Sequence, residues 1–270
     1  ALTGGSGVDI MRGGAGDDTI NLSLADAAAG EVYDGGSGAD TLVLSGPGSY
    51  SHDLRDDTLL SIESLRYGDP GFGGSANAMV NASQIGATGL SDTAEIRFSG
   101  YSDVTDSLSV YLATSTSVSL ASLNFTDVST NDYVTIYGDA DDESIVGSDI
   151  VDHIYGDNGN DVLIGGGGID SIDAGDGDDT IKILAVADGG VGEVIDGGVG
   201  TDTLFLDASA SYDYDLRDDT ITAIESISFG DPGGGNTALA RLNAAQIGPG
   251  LSSTGTVAFC GFSDVTDILE

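Results

Sequence analysis

The sequence predicts an all-β chain wound as a right-handed parallel β-solenoid, a β-roll or β-helix, and three observations carry that reading. Between Gly138 and Lys182, five nine-residue frames follow in unbroken register: GDADDESIV, GSDIVDHIY, GDNGNDVLI, GGGGIDSID and AGDGDDTIK. The sixth residue of every frame is acidic (Glu143, Asp152, Asp161, Asp170, Asp179), and the eighth is branched and apolar (Ile145, Ile154, Leu163, Ile172, Ile181). Long stretches of the chain also recur 161 to 162 residues apart, and units that bury their cores against neighbours are the logic of solenoids.

Each part of a frame has a physical reading. The first six residues are turn material, because glycine accepts left-handed dihedrals. The last three form a short strand whose middle side chain, the eighth, faces inward. Two frames make one coil, so frames n and n+2 stack on the same edge. Stacked turns then set carboxylates and free carbonyls about 4.8 Å apart, one strand spacing. Hard oxygen ligands on irregular turns suit calcium, which takes about six to eight oxygens.

These frames resemble the G-G-x-G-x-D-x-U-x nonapeptides of the RTX (repeats-in-toxin) family, a motif of calcium-binding parallel β-helices. The resemblance implies a calcium-filled solenoid where the frames are regular. It also implies export through a type I system, unfolded at low cytoplasmic calcium and folding outside the cell.

Composition agrees. The formal net charge is −38, with 45 acidic against 7 basic residues, and 43 of the 270 residues are glycine. Such charge opposes compaction unless cations offset it. It argues against nucleic acid and anionic membrane as partners, since a phosphate backbone requires Lys and Arg. The single cysteine, Cys260, excludes an internal disulfide, and no run is long and apolar enough to insert in a membrane.

In chain order, the first frames are GGSGVDIMR from Gly4 and GGAGDDTIN from Gly13, with Asp9 and Asp18 in the acidic position and Met11 and Ile20 inward. Leu22 to Asp34 reads as an enlarged half-coil carrying Leu22, Leu24 and Val32, with a surface loop around Ala27 to Gly30. GGSGADTLV then restores the motif with Asp40 and Leu42. From Ser45 to Asn131 the glycine-aspartate signature fades while paired apolar residues persist (Ile96 with Phe98, Leu108 with Val110). That alternation predicts wider coils without regular calcium sites. A separate sandwich domain is the alternative, since short strands at this spacing suit both.

The long repeat is explicit. DGGSGADTLVL from Asp34 returns as DGGVGTDTLFL from Asp196, and DLRDDTLLSIESL from Asp53 as DLRDDTITAIESI from Asp215. NASQIG from Asn81 returns as NAAQIG from Asn243, and SDVTD from Ser102 at Ser263. The expectation is one continuous solenoid. Residues 13–173 are one unit, 174–270 a second cut short, and 1–12 the tail of a preceding one.

Stacking predicts shared calcium ions between Asp161 and Asp179, Asp152 and Asp170, and Glu143 and Asp161. Across the enlarged half-coils Asp18 faces Asp40, and Asp179 faces Asp202. Asp149, Asp157 and Asp176, at turn positions two and three, are candidate extra ligands, with backbone-capping of the turn as their plainer role.

Catalytic constellations are absent. His52 aligns with Tyr214 in the second copy, His153 takes an outward position, and Cys260 aligns with Ser99, so none reads as catalytic. The expectation is a non-enzymatic segment of a secreted or cell-surface protein, an adhesin or surface-layer rod. Calcium is its ligand, with neighbouring repeats or surface glycan as further partners. The alternatives are an accessory module of a larger exported hydrolase or epimerase, and a glycan- or ice-binding face. For the glycan reading, the Arg55/Asp56/Asp57 and Arg217/Asp218/Asp219 clusters are the candidate patch, against a solvated salt bridge.

Overall fold

A computed structural model describes residues 1–24, 28–184, 192–207, 212–230, 237–243, 246, 251–258 and 266–269, the last two segments by their backbone. Cys260 and the second SDVTD loop up to Val265 lie outside the described residues, as do Ala27 of the expected surface loop and parts of the second NAAQIG. The chain is all-β, with short strands paired in parallel and one 3-10 turn, Ala82–Gln84, among the described residues. It divides into two compact units, Ala1–Ser115 with Ser122–Thr135, and Thr116–Ala121 with Ile136–Glu270.

In the first unit, Leu2–Thr3, Thr19–Ser23, Thr41–Ser45, Ile62–Tyr67, Leu90–Arg97 and Asn124–Thr126 stack as one parallel sheet. Register sets Ile20, Leu42, Leu65, Ile96 and Phe125 in a single buried row. A second sheet stacks Ile10–Ala15, Val32–Ser37 and Thr58–Leu60, with Met11, Tyr33 and Leu59 in the row. A third stacks Tyr50–Asp53, Ser75–Asn81 and Thr105–Tyr111. The wide coils thus pair in parallel, whereas a sandwich is built from antiparallel sheets.

The second unit repeats the scheme. Ser117–Ser119, Ser144–Val146, Val162–Ile164, Thr180–Ile183, Thr203–Leu206, Ile224–Phe229 and Leu251–Ala258 form one sheet. Asp152–Tyr155, Ser171–Asp173, Val194–Asp196 and Thr220–Thr222 form another, with Ile154, Ile172, Ile195 and Ile221 aligned and buried. Tyr212–Asp215, Thr237–Arg241 and Thr266–Leu269 form the third.

Within Leu22 to Asp34 the buried residues include Leu22 and Tyr33, Val32 is only half-buried, and Leu24 stands exposed. Strand polarity explains this: Tyr33 follows the acidic Glu31 by two residues, the same acid-x-inward spacing as in every frame.

The duplicated motifs have packing roles. Gln84 Nε2 donates to the carbonyls of Leu54 at 2.6 Å and Asp57 at 2.9 Å, and Asn81 Nδ2 donates to that of Arg55 at 2.9 Å. Gln246 and Asn243 hold Leu216, Asp219 and Arg217 in the same way. NASQIG therefore ties one coil to the DLRDD turn of the coil before it. His52 is buried with Nε2 3.0 Å from the Ser45 carbonyl, and the Tyr214 hydroxyl donates to Asp207 O at 2.7 Å. Imidazole and phenol fill one structural role, and burial holds the His52 pKa below its ordinary value.

Candidate metal centre

The regular turns are built around Asp161. Its carboxylate reaches back to the preceding coil, where Oδ1 accepts the N–H of Glu143 at 2.8 Å. Its own N–H donates to Asp179 Oδ1 at 2.7 Å, and Asp179 N–H donates to Asp202 Oδ1 at 2.9 Å. Asp202 N–H continues the line to Glu225 Oε2 at 2.9 Å. On the opposite edge, Asp152 donates to Asp170 Oδ1 at 2.9 Å, Asp170 to Glu193 Oε2 at 2.7 Å, and Glu193 to Asp219 Oδ1 at 3.1 Å. The 18-residue steps in the regular frames follow from two nine-residue frames per coil.

The first unit carries the same columns. Asp18 donates to Asp40 Oδ1 at 2.7 Å, and Asp40 to Glu63 Oε2 at 2.8 Å. Asp9 lies opposite Glu31, since Val32 N–H donates to the Asp9 carbonyl at 3.0 Å, and Glu31 N–H donates to Asp57 Oδ1 at 2.9 Å. Six acids of these columns escape the frame count: Glu31, Asp57, Glu63 and their counterparts Glu193, Asp219 and Glu225. The inserted residues break the nine-residue period, yet each acid still stands two residues before an inward apolar or aromatic side chain.

The acids are buried: Asp152 and Asp202 are 0% exposed, and Asp161 and Asp179 are 1%. One oxygen of Asp40, Asp152, Asp161, Asp170, Asp179 and Asp202 accepts a backbone N–H, and one oxygen of Glu31 accepts the Tyr33 hydroxyl. A second carboxylate oxygen is buried with no hydrogen-bond partner in Asp9, Asp40, Asp161, Asp179 and Asp202 (Oδ2), in Asp152 (Oδ1), and in Glu31 and Glu143 (Oε1). Glycine at the head of the frame makes room for that oxygen: a Cβ on Gly156 would strike Asp161 Oδ2 and the carbonyl of Ala174 in the next coil.

The ion pairs among the described residues join Arg12, Arg55, Arg97, Arg217 and Arg241 to other aspartates. Loss of solvation, reinforced by neighbouring acids in the column, pushes the carboxyl of Glu143 up to about 8 and those of Asp161 and Asp202 up to about 6. Asp152 is driven well above the ordinary carboxylate range by burial and by Asp170.

Asp149, Asp157 and Asp176 stand exposed on the turns, outside the buried columns. A different side chain, at frame position five, forms a second ladder. Asn160 N–H donates to Asp142 Oδ1, Asp178 N–H to Asn160 Oδ1 and Thr201 N–H to Asp178 Oδ1, each at 2.8 Å. This ladder runs opposite to the buried one: here the later coil's N–H meets the earlier coil's side chain. Turn-capping, then, is carried by position five as well as position six.

The Arg55/Asp56/Asp57 cluster does not form a patch. Arg55 pairs with Asp53 through two hydrogen bonds and lies 4.4 Å from the Tyr111 ring centroid, while Asp57 turns inward to cap Gly30 and Glu31. Arg217 pairs with Asp215 likewise.

Among the described residues, no group of three or more His, Cys, Asp or Glu side chains makes a ready-made metal cage. The donor set nevertheless fits calcium: one uncommitted carboxylate oxygen per coil, beside glycine-rich turns whose backbone carbonyls are ligands calcium accepts. Nitrogen and sulfur donors, which would suit zinc, are missing from these turns.

Comparison with characterised proteins and with solved structures finds no match. The family described as RTX calcium-binding nonapeptide repeat (4 copies) matches residues 2–23, 137–172 and 155–182. The chain therefore carries RTX calcium-binding repeats, an element that is typically structural, on an all-β scaffold of parallel strands.

Proposed function

We propose that this chain is a calcium-dependent structural segment of a secreted or cell-surface bacterial protein, a rod of tandem 161-residue units that folds on meeting extracellular calcium. The observation supporting it is the row of buried carboxylates in which Asp40, Asp152, Asp161, Asp179 and Asp202 each keep one oxygen without a hydrogen-bond partner. Asp161 with Asp179, Asp152 with Asp170, Glu143 with Asp161, Asp18 with Asp40 and Asp179 with Asp202 would hold the ions, helped by turn carbonyls. Asp9 would serve with Glu31. Bound calcium would cancel the repulsion along each column and fix successive turns to one another.

Energetics favour a folding role. At free calcium about ten times the dissociation constant, each site adds ~1.4 kcal/mol to the folded state. A handful of such sites matches the ~5–15 kcal/mol that holds a typical domain together, so metal binding and folding are coupled. The test is far-UV circular dichroism in chelator and in millimolar calcium. The reading expects loss of most β signal in chelator and its return with calcium; equal spectra would contradict it.

A further inference from the structure

Beyond the matched repeats, the wide coils of the first unit bury another pair of carboxylates. Asp106, in the strand Thr105–Tyr111, is 1% exposed, and Asp132, just ahead of Tyr133, is 3% exposed. Asp106 N–H donates to Asp132 Oδ1 at 2.8 Å, the same link from one coil's acid to the next that builds the regular columns. Ser129 N–H holds Asp132 Oδ2 and Ser99 N–H holds Asp106 Oδ2, both at 2.6 Å.

What remains is an uncommitted oxygen. Asp106 Oδ1 is buried without a hydrogen-bond partner, and the Ser99 hydroxyl lies beside the same carboxyl. Among the described residues no basic side chain pairs with either acid. The other charge acting on Asp106 besides Asp132 is Asp69, which is also negative. Two like charges shielded from water, with an oxygen left over, call for a cation or a proton.

We propose that Asp106, Asp132 and the Ser99 hydroxyl form a calcium site of the wide coils, outside the nonapeptides. All three contribute hard oxygens, and each carboxylate oxygen that caps an amide keeps a second lone pair for a metal. The second unit sets an acid at the same register: Asp267 pairs with Ala238 as Asp106 pairs with Ala76. This site gives the SDVTD motif a role that turn formation alone does not, and it extends calcium binding into the region where the nonapeptide pattern lapses. The choice of ion rests on the calcium reading above.

The experiment is calorimetric calcium titration of the full chain, wild type against Asp106→Asn, Ser99→Ala and Asp161→Asn, with circular dichroism in calcium as the folding control. The site predicts that Asp106→Asn binds one ion fewer. Ser99→Ala, which deletes a single hydroxyl and leaves the Ser99 N–H bond to Asp106 in place, keeps the fold and weakens one ion several-fold. Should Asp106→Asn fail to fold, the Ser99→Ala isotherm decides. An unchanged stoichiometry in folded Asp106→Asn, or an unchanged isotherm in Ser99→Ala, overturns the proposal and leaves Asp106 a protonated acid. Failure of the wild type to bind any calcium would instead remove the reading of the regular turns, so the two failures are distinguishable.

Discussion

Replacing Asp161 by asparagine and by alanine separates the two tasks of its carboxylate. Oδ1 accepts the buried Glu143 N–H, while Oδ2 has no protein partner. Asparagine keeps a neutral acceptor for the amide and removes the charge. Alanine removes both and strands a buried N–H, at a cost of about 1–3 kcal/mol. Asp161 also lies between two neighbours, bonded to Glu143 on one side and Asp179 on the other. Losing it should therefore weaken two ion sites together, about 3 kcal/mol at tenfold saturation of each. Asp161→Asn is expected to lose ~3 kcal/mol in saturating calcium and little at low calcium, where it relieves repulsion. Asp161→Ala should lose more, and lose the extra in both conditions. Denaturant unfolding across a calcium series, with calorimetry for the ions, reads both quantities. A single ion lost would refute the stacking of ions on both sides of each acid. Equal damage by asparagine and alanine would refute the division of labour between the two oxygens.

Acidity offers a second handle. The folded carboxyls of Glu143, Asp161 and Asp202 sit above their ordinary values, at about 8, 6 and 6. The folded state thus binds more protons than the unfolded one between ~4 and those values, so calcium-free stability falls as pH rises through that window. Chelated protein should gain β signal on acidification from pH 8 toward pH 5, and apparent calcium affinity should rise with pH over the same range; a pH-independent affinity would contradict the buried columns. His52→Tyr installs the residue that the second repeat carries as Tyr214, bonded to the equivalent carbonyl. It should change unfolding free energy by less than about 1.5 kcal/mol, and a loss much above that would show that the imidazole has a role of its own.

How much of this was legible depended on how local the signal is. Frame positions six and eight are fixed by one turn and one three-residue strand, so Asp161 and Leu163 declare themselves within nine residues. Stacking at 18 residues follows by counting. The acids at Glu31, Asp57 and Glu63 lie after insertions of unequal length, and only the coil-to-coil register shows that they continue the columns of Asp9 and Asp18. Their trace in sequence is the acid-x-inward triplet, Glu31-Val32-Tyr33 and Asp57-Thr58-Leu59, which a fixed period does not reveal. Asp149, Asp157 and Asp176 are candidate extra ligands by sequence because they are aspartates in the same turns. Whether a turn side chain points inward depends on the dihedrals of its neighbours, and Asp157 itself sits at φ 75° with its side chain exposed. The opposed ladder through Asp142, Asn160 and Asp178 was hidden for the same reason.

A crystal grown in calcium, with anomalous scattering recorded, asks the central question in one step. Peaks beside Asp161 Oδ2, Asp179 Oδ2 and Asp40 Oδ2, each bridging consecutive turns, are what the account requires. Ordered turns at full calcium with no peak at any of these oxygens would contradict it.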